Sequence, residues 1–189
     1  MVTKTFSNVI GFDDAPFART QAGPIKVVGA IYASLRFDGV MIGEVEKDGH
    51  DAADRLTALL TTSKFADHVR LIMLQGITLA GFNVVDVFAL SERTGVPVLV
   101  VARRQPDMNA VRRALLSNIP AGREKWAVIE RLGEMEPAGD VYIQRVGLTK
   151  DQADAVVDRF SVYSSIPEPI RTAHLIAGAL SNGESRGAP

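Results

Sequence analysis

The sequence predicts an α/β fold: a mixed sheet with helices on both faces. Three observations predict it. Val69 to Leu74 is a short, nearly continuous apolar run, the signature of a strand buried on both faces. Residues 25–45 are rich in β-formers and read as an antiparallel pair. Beyond residue 50, stripes of apolar residues at helical spacing alternate with further short apolar runs.

Taken in order, Val9 to Phe12 is a buried strand that runs straight into Asp13-Asp14. Ala15 to Pro24 holds two prolines and a glycine and reads as a loop. Ile25 to Leu35 and Val40 to Val45 are strands, with Phe37-Asp38-Gly39 as the turn between them. A helix begins near Asp51, with Ala53, Leu56, Leu59 and Leu60 on one face. The strand at 69–74 stops at Gln75-Gly76, and a loop of small residues leads to Asn83. Asn83 and Asp86 resemble a capping pair for the next helix. Gly95 and Pro97 end that helix, and Val96 to Val101 is another buried strand. Asp107 caps a helix reaching Leu116, and a further helix covers Trp126 to Leu132. Gly139 precedes a strand at 141–146. Thr149 and Gln152 form a capping box for a helix carrying Ala153, Val156, Val157 and Phe160. A last helix spans about 167–180. Three meandering strands, then helix, strand, helix, strand, is the ribonuclease H-like order. It sets the first and fourth strands side by side, so that Asp13 and Gln75 meet.

The 189 residues are read as a single domain, 1–189, with a polar tail from about 181. Apolar residues make up 47% and charged residues 23%, the balance of a soluble globular chain. The absence of cysteine excludes disulfides and thiolate zinc sites and fits a reducing cytoplasm. No apolar run reaches the roughly 18 residues of a membrane span, and MVTKTFSN lacks a signal-peptide apolar region. The net charge of −1 gives no global footprint for nucleic acid, so any such contact must use a local basic patch.

A polar residue at the carboxyl end of a central strand, followed by a glycine loop, marks where open α/β sheets place their sites. Asp13 and Asp14 offer carboxylates of the kind that hold Mg²⁺, but alternation along a strand lets only one face a given site. Asp51 sits where a helix N-cap is expected; a role in the site requires it to face Asp13 across the top of the sheet. Gln75 can offer a metal its amide oxygen but brings no charge and cannot act as a base. In the loop Gly76 to Asn83, the backbone donors around Gly76 and Gly81 can read a base edge. Phe82 can stack on that base or pack into the core, and Asn83 closes the loop. Arg171 and His174, three apart on the last helix, share a face. His174 can bind a phosphate, orient water, ligate a metal or serve only as structure. Arg103, Arg104, Arg112 and Arg113 form a basic cluster that grips phosphates or is simply solvated. His50 and His68 read as surface residues.

The stretches IGFDDAPF, DGVMIGEVEKDGHDA, LIMLQGITLAGFNVVD, VPVLVVARRQPD and SSIPEPIRTAHLIAGALSNGESRG resemble, in order, the DUF99 family. Those archaeal and bacterial proteins are related to endonuclease V and described as deoxyuridine-specific endonucleases. The resemblance implies a ribonuclease H-like fold and a metal-dependent endodeoxyribonuclease for DNA containing deaminated bases, with a DNA-repair role. It makes Asp13 the metal ligand of the aspartate pair and Asp51 the counterpart of a catalytic glutamate. IPEPIRTAH places Arg171 and His174 at the site. Gln75 stands where endonuclease V has an aspartate.

The expectation is therefore an enzyme in which Asp13 and Asp51 hold Mg²⁺ or Mn²⁺, Gln75 adds a weak contact, and His174 and Arg171 complete the site. Gly76, Gly81, Phe82, Asn83, Arg103 and Arg104 would contact DNA or line a base pocket. The alternative is a protein of the same fold that binds lesions or nucleotides after losing catalysis at Gln75. Small-molecule chemistry on the same scaffold is a third reading.

Overall fold

In the computed structural model, which describes residues 6–185, the chain forms β1 (Asn8–Asp14), β2 (Pro24–Ala33), β3 (Arg36–Glu46), α1 (Ala52–Thr61), β4 (Leu71–Gln75), β5 (Thr78–Leu79), β6 (Asn83–Val84) and α2 (Val87–Thr94). It continues through β7 (Val98–Ala102), α3 (Met108–Asn118), α4 (Gly122–Leu132), β8 (Glu136–Ala138), β9 (Val141–Val146), α5 (Lys150–Phe160) and α6 (Glu168–Asn182). The last four positions of the polar tail lie outside the described residues.

The main sheet is seven-stranded, in the order β3-β2-β1-β4-β7-β9-β8. β1 runs antiparallel to β2 and parallel to β4, β4 is parallel to β7, and β2 is antiparallel to β3. The carboxyl ends of β1, β3, β4 and β7 therefore share one end of the sheet. β4 is buried from Leu71 to Leu74, as a central strand with covered faces must be.

Two helix systems cover the sheet. A side chain at Gly11 would run into the backbone of α6, with Pro169 C 2.3 Å away. Gly43, which pairs through Val27 with Asp14, faces Leu59 of α1. Alternation along β1 thus sends Gly11 and Asp13 toward α6, and Phe12 and Asp14 toward α1. Helix starts follow their local signals. Asp86 accepts from the amides of Phe88 and Ala89, Asp107 from those of Asn109 and Ala110, and Thr149 with Gln152 forms the full capping box.

Two local expectations are corrected. The β2–β3 turn lies at Ser34-Leu35, where Ser34 takes a left-handed φ of 56°. Phe37-Asp38-Gly39 is instead strand: Phe37 pairs with Tyr32 and Gly39 with Ile31, leaving Asp38 as the extra residue of a bulge. Asn83 starts no helix; it lies in β6, which pairs with β5 as a small hairpin, and Asp86 alone caps α2.

Candidate active site

Asp13 and Asp14 are chain neighbours with different surroundings. Asp13 is buried, and its Oδ2 lies 2.7 Å from His174 Nδ1. Its Oδ1 accepts from the Asp14 amide at 2.9 Å. A carboxylate only accepts, so Nδ1 carries the proton and donates. This bond is the main reason that the His174 pKa rises; burial opposes it, the charges of Asp13 and Asp14 add to it, and Arg103 opposes it. Nε2 of His174 makes no hydrogen bond among the described residues. The pairing depends on α6 lying tight against β1, which the bare backbone of Gly11 permits.

Asp14 turns the other way, and its Oδ2 accepts from the Ala80 amide at 2.9 Å. Burial, reinforced by the charge of Asp13, pushes its pKa up to about 6 against the bond from Ala80.

Gln75 ends β4 one step past the Phe12–Leu74 pair. The parallel register sets it beside Asp13 on the same face. Its Oε1 is buried without a hydrogen-bond partner among the described residues. Buried polar atoms are normally satisfied, so this orphan oxygen asks for a ligand, a water or an ion.

Asp51 lies at the same end of the sheet but on the α1 side. It occupies the N-cap position of α1 without making a side-chain cap bond. Its Oδ1 accepts from the Glu46 amide at 3.0 Å and from Asn83 Nδ2 at 2.8 Å, and its Oδ2 from Arg55 Nε at 3.0 Å. Burial acts to raise its pKa, but these bonds outweigh it and hold the carboxyl below its ordinary value. Asn83 has no exposed surface and supplies the missing cap from across: its Oδ1 accepts from the Ala52 amide, and its Nδ2 also donates to the Glu46 carbonyl. Asn83 is thus committed to this framework and does not line an open pocket.

Arg171 is bonded to the buried Glu168 in a two-pronged pair, both bonds 2.8 Å, and lies 5.7 Å from the Tyr163 ring. The Glu168 bonds raise its pKa further. Phe82 packs against a small apolar cluster of Val84, Leu115 and Ile129. Arg103, Arg104, Arg112 and Arg113 are exposed, and Arg112 lies over the Trp126 ring. His50 and His68 are exposed. Sequence reading passed over Asp48, Lys125 and Glu168. A lone lysine inside a helical stripe, or a glutamate between two prolines, carries no local signal of burial.

Among the described residues, no three His, Asp or Glu side chains come together in a way that could hold a metal ion. Asp51 is bonded to Glu46, Arg55 and Asn83, and Asp13 to His174. The donor set that fits a hard cation is smaller: the Asp13 carboxylate and the orphan Gln75 Oε1, both oxygen. That suits an ion such as Mg²⁺, which keeps most of its waters.

Fold and site together define a ribonuclease H-like α/β domain with an acid–histidine pair where its parallel strands end. The chain belongs to the endonuclease dU family, whose sequence profile matches residues 5–181. A UPF0215 protein of Deinococcus radiodurans is 52% identical over 181 residues, covering 96% of this chain and 92% of the relative. Another from Methanothermobacter thermautotrophicus is 41% identical over 188 residues, covering 97% and 92%. The crystal structure of a protein of unknown function from Archaeoglobus fulgidus superposes with a TM-score of 0.85 at 36% identity, over 92% of this chain and 97% of that one. Endonuclease V from Ciona intestinalis, in complex with DNA containing an inosine, shares the fold at 13% identity and a TM-score of 0.57, over 91% and 84%. Membership of this family and the fold support a nuclease-like function.

Proposed function

We propose that the protein is a metal-dependent endodeoxyribonuclease that cuts DNA at deaminated bases, deoxyuridine foremost. The observation that carries this reading is the Asp13–His174 pair, with the orphan oxygen of Gln75 in the neighbouring strand. Family membership and the DNA-bound state of the Ciona intestinalis neighbour support it. Asp13 and Gln75 would hold Mg²⁺ or Mn²⁺. When bound, such an ion stabilises the charge on the attacking and leaving oxygens of a phosphodiester. Asp13 also orients His174 and favours its protonated form, so Nε2 can donate to a phosphate oxygen. Arg103, close enough to His174 for its charge to be felt, draws in the backbone with Arg104. Asp51 keeps the α1 start and β6 in place from the other face. The Gly76–Phe82 loop would meet the base.

The test is incubation of uracil- and hypoxanthine-containing duplexes with Mg²⁺ or Mn²⁺. Nicking is expected, and Asp13→Ala should abolish it. A chain that never nicks, or an Asp13→Ala variant that still does, removes the reading. A second reading is favoured by two observations: a neutral Gln75 stands beside Asp13, and Asp51 is engaged elsewhere. On that reading the protein binds lesions without cutting them. Cleavage gained by Gln75→Asp, from a parent that only binds, supports it.

A further inference from the structure

The tip of the β5–β6 hairpin is held by more contacts than a surface turn of its size requires. Ala80 takes a left-handed φ of 48° and has no exposed surface; Gly81 follows at φ 88°. Non-glycine residues avoid this region unless the surroundings enforce it. Three side chains from distant segments do so. Asp14 Oδ2 accepts from the Ala80 amide at 2.9 Å. Asp48, itself left-handed at φ 53°, donates its amide to the Ala80 carbonyl at 2.9 Å and accepts from the Phe82 amide through Oδ1 at 2.8 Å. The Asp48 carbonyl in turn accepts from Lys125 Nζ at 2.8 Å. Lys125 is 1% exposed, and burying an ammonium that deeply is costly unless it is matched to a partner. A Cβ on Gly81 would lie 2.3 Å from Asp48 Oδ1, so the carboxylate sits hard against the tip.

The tip belongs to the segment that leaves β4 at Gln75, and within Ala80–Phe82 solvent reaches Gly81 and Phe82. We propose that Asp48 and Lys125, together with Asp14, are positioning residues that fix the Ala80–Phe82 tip in one conformation, and that this fixed tip sets which base the protein accepts. The inference rests on the reading above, that this loop meets the base. A rigid tip presents its backbone groups at one spacing, so a base with a different hydrogen-bonding edge is left unpaired. A loose tip adapts and discriminates less.

The experiment uses the full chain and the variants Asp48→Ala, Asp48→Asn and Lys125→Met. Amide hydrogen exchange is followed at Ala80 and Phe82, with the β4 amides as the reference for global stability. Binding of labelled uracil-containing and unmodified duplexes is measured in parallel without added metal, so it does not depend on cleavage. Asp48→Ala should speed exchange at the tip by about tenfold relative to β4 and lower the preference for the uracil duplex by a similar factor. Asp48→Asn keeps an acceptor for the Phe82 amide and should restore both. Lys125→Met should loosen the tip without touching the hairpin itself. Tip exchange that stays at the parent rate in Asp48→Ala, or rises only in step with β4, overturns the proposal. So does a loosened tip with unchanged preference, or a parent chain with no preference at all. A parent that prefers uracil duplexes yet never nicks them sinks the nuclease reading and leaves the positioning role standing.

Discussion

Gly11→Ala is a one-methyl change whose effect can be followed from backbone to site. The new Cβ would lie 2.3 Å from Pro169 C, 2.5 Å from Ile170 N and 2.6 Å from Pro169 O, whereas ordinary contacts begin near 3.4 Å. These are backbone atoms of α6, so no rotamer change relieves the clash; the helix must withdraw from β1 by about an ångström. Overpacking of this kind costs about 1–3 kcal/mol. The same withdrawal stretches the His174–Asp13 bond, now 2.7 Å, past the limit of a hydrogen bond. Because that bond is the main support of the raised His174 pKa, the pKa should fall toward 6.5. Urea unfolding measures the first effect, and NMR titration of the His174 ring the second. A variant as stable as the parent, with His174 titrating where it did, would refute the claim that close α6–β1 packing makes the pair.

Other outcomes follow from the same contacts. His174 is raised above its unfolded value, so its stabilising contribution is complete below pH 6.5 and is lost as pH rises through the raised folded value; Asp13→Asn should flatten that part of a stability–pH profile. Asp14 works in the opposite sense for an acid. With a folded pKa of about 6 against 3.8, its ionisation destabilises the fold by about 3 kcal/mol above pH 6, a cost absent below pH 3.8. Asp14→Asn, which keeps an acceptor for the Ala80 amide, should remove that slope from chemical denaturation curves. Asn83→Ala strands the buried Ala52 amide and Glu46 carbonyl and should cost about 2–4 kcal/mol; the Asp51 pKa, followed by carboxyl NMR, should rise as one of its donors disappears.

Much of the fold is written in local patterns. Val9–Phe12, Val69–Leu74 and Val96–Val101 announce central strands because both faces are covered, and the Thr149–Gln152 box is a purely local bond pair. The β2–β3 turn was hidden because Asp38-Gly39 carries a turn's composition while serving a bulge, and the turn uses a left-handed serine. Asn83 misled for a related reason. Its side chain does cap a helix, but one 31 residues earlier in the chain. At the site, Asp13 and His174 were legible as a strand end and a helix face. That Arg171 belongs to Glu168, and that Asp51 belongs to Asn83 and Arg55, depends on tertiary partners that no spacing encodes. Lys125 was invisible because its burial follows from a carbonyl 77 residues away.

The divergence of Asp13 and Asp14 to opposite faces of β1 has a mechanical consequence. One planar amide joins them, so only the ψ of Asp13 and the φ of Asp14 turn between their Cα atoms, and the ladder to β2 restrains both. A shift of the strand end that carries Asp13 should therefore be felt at Asp14 and at the hairpin amide it holds.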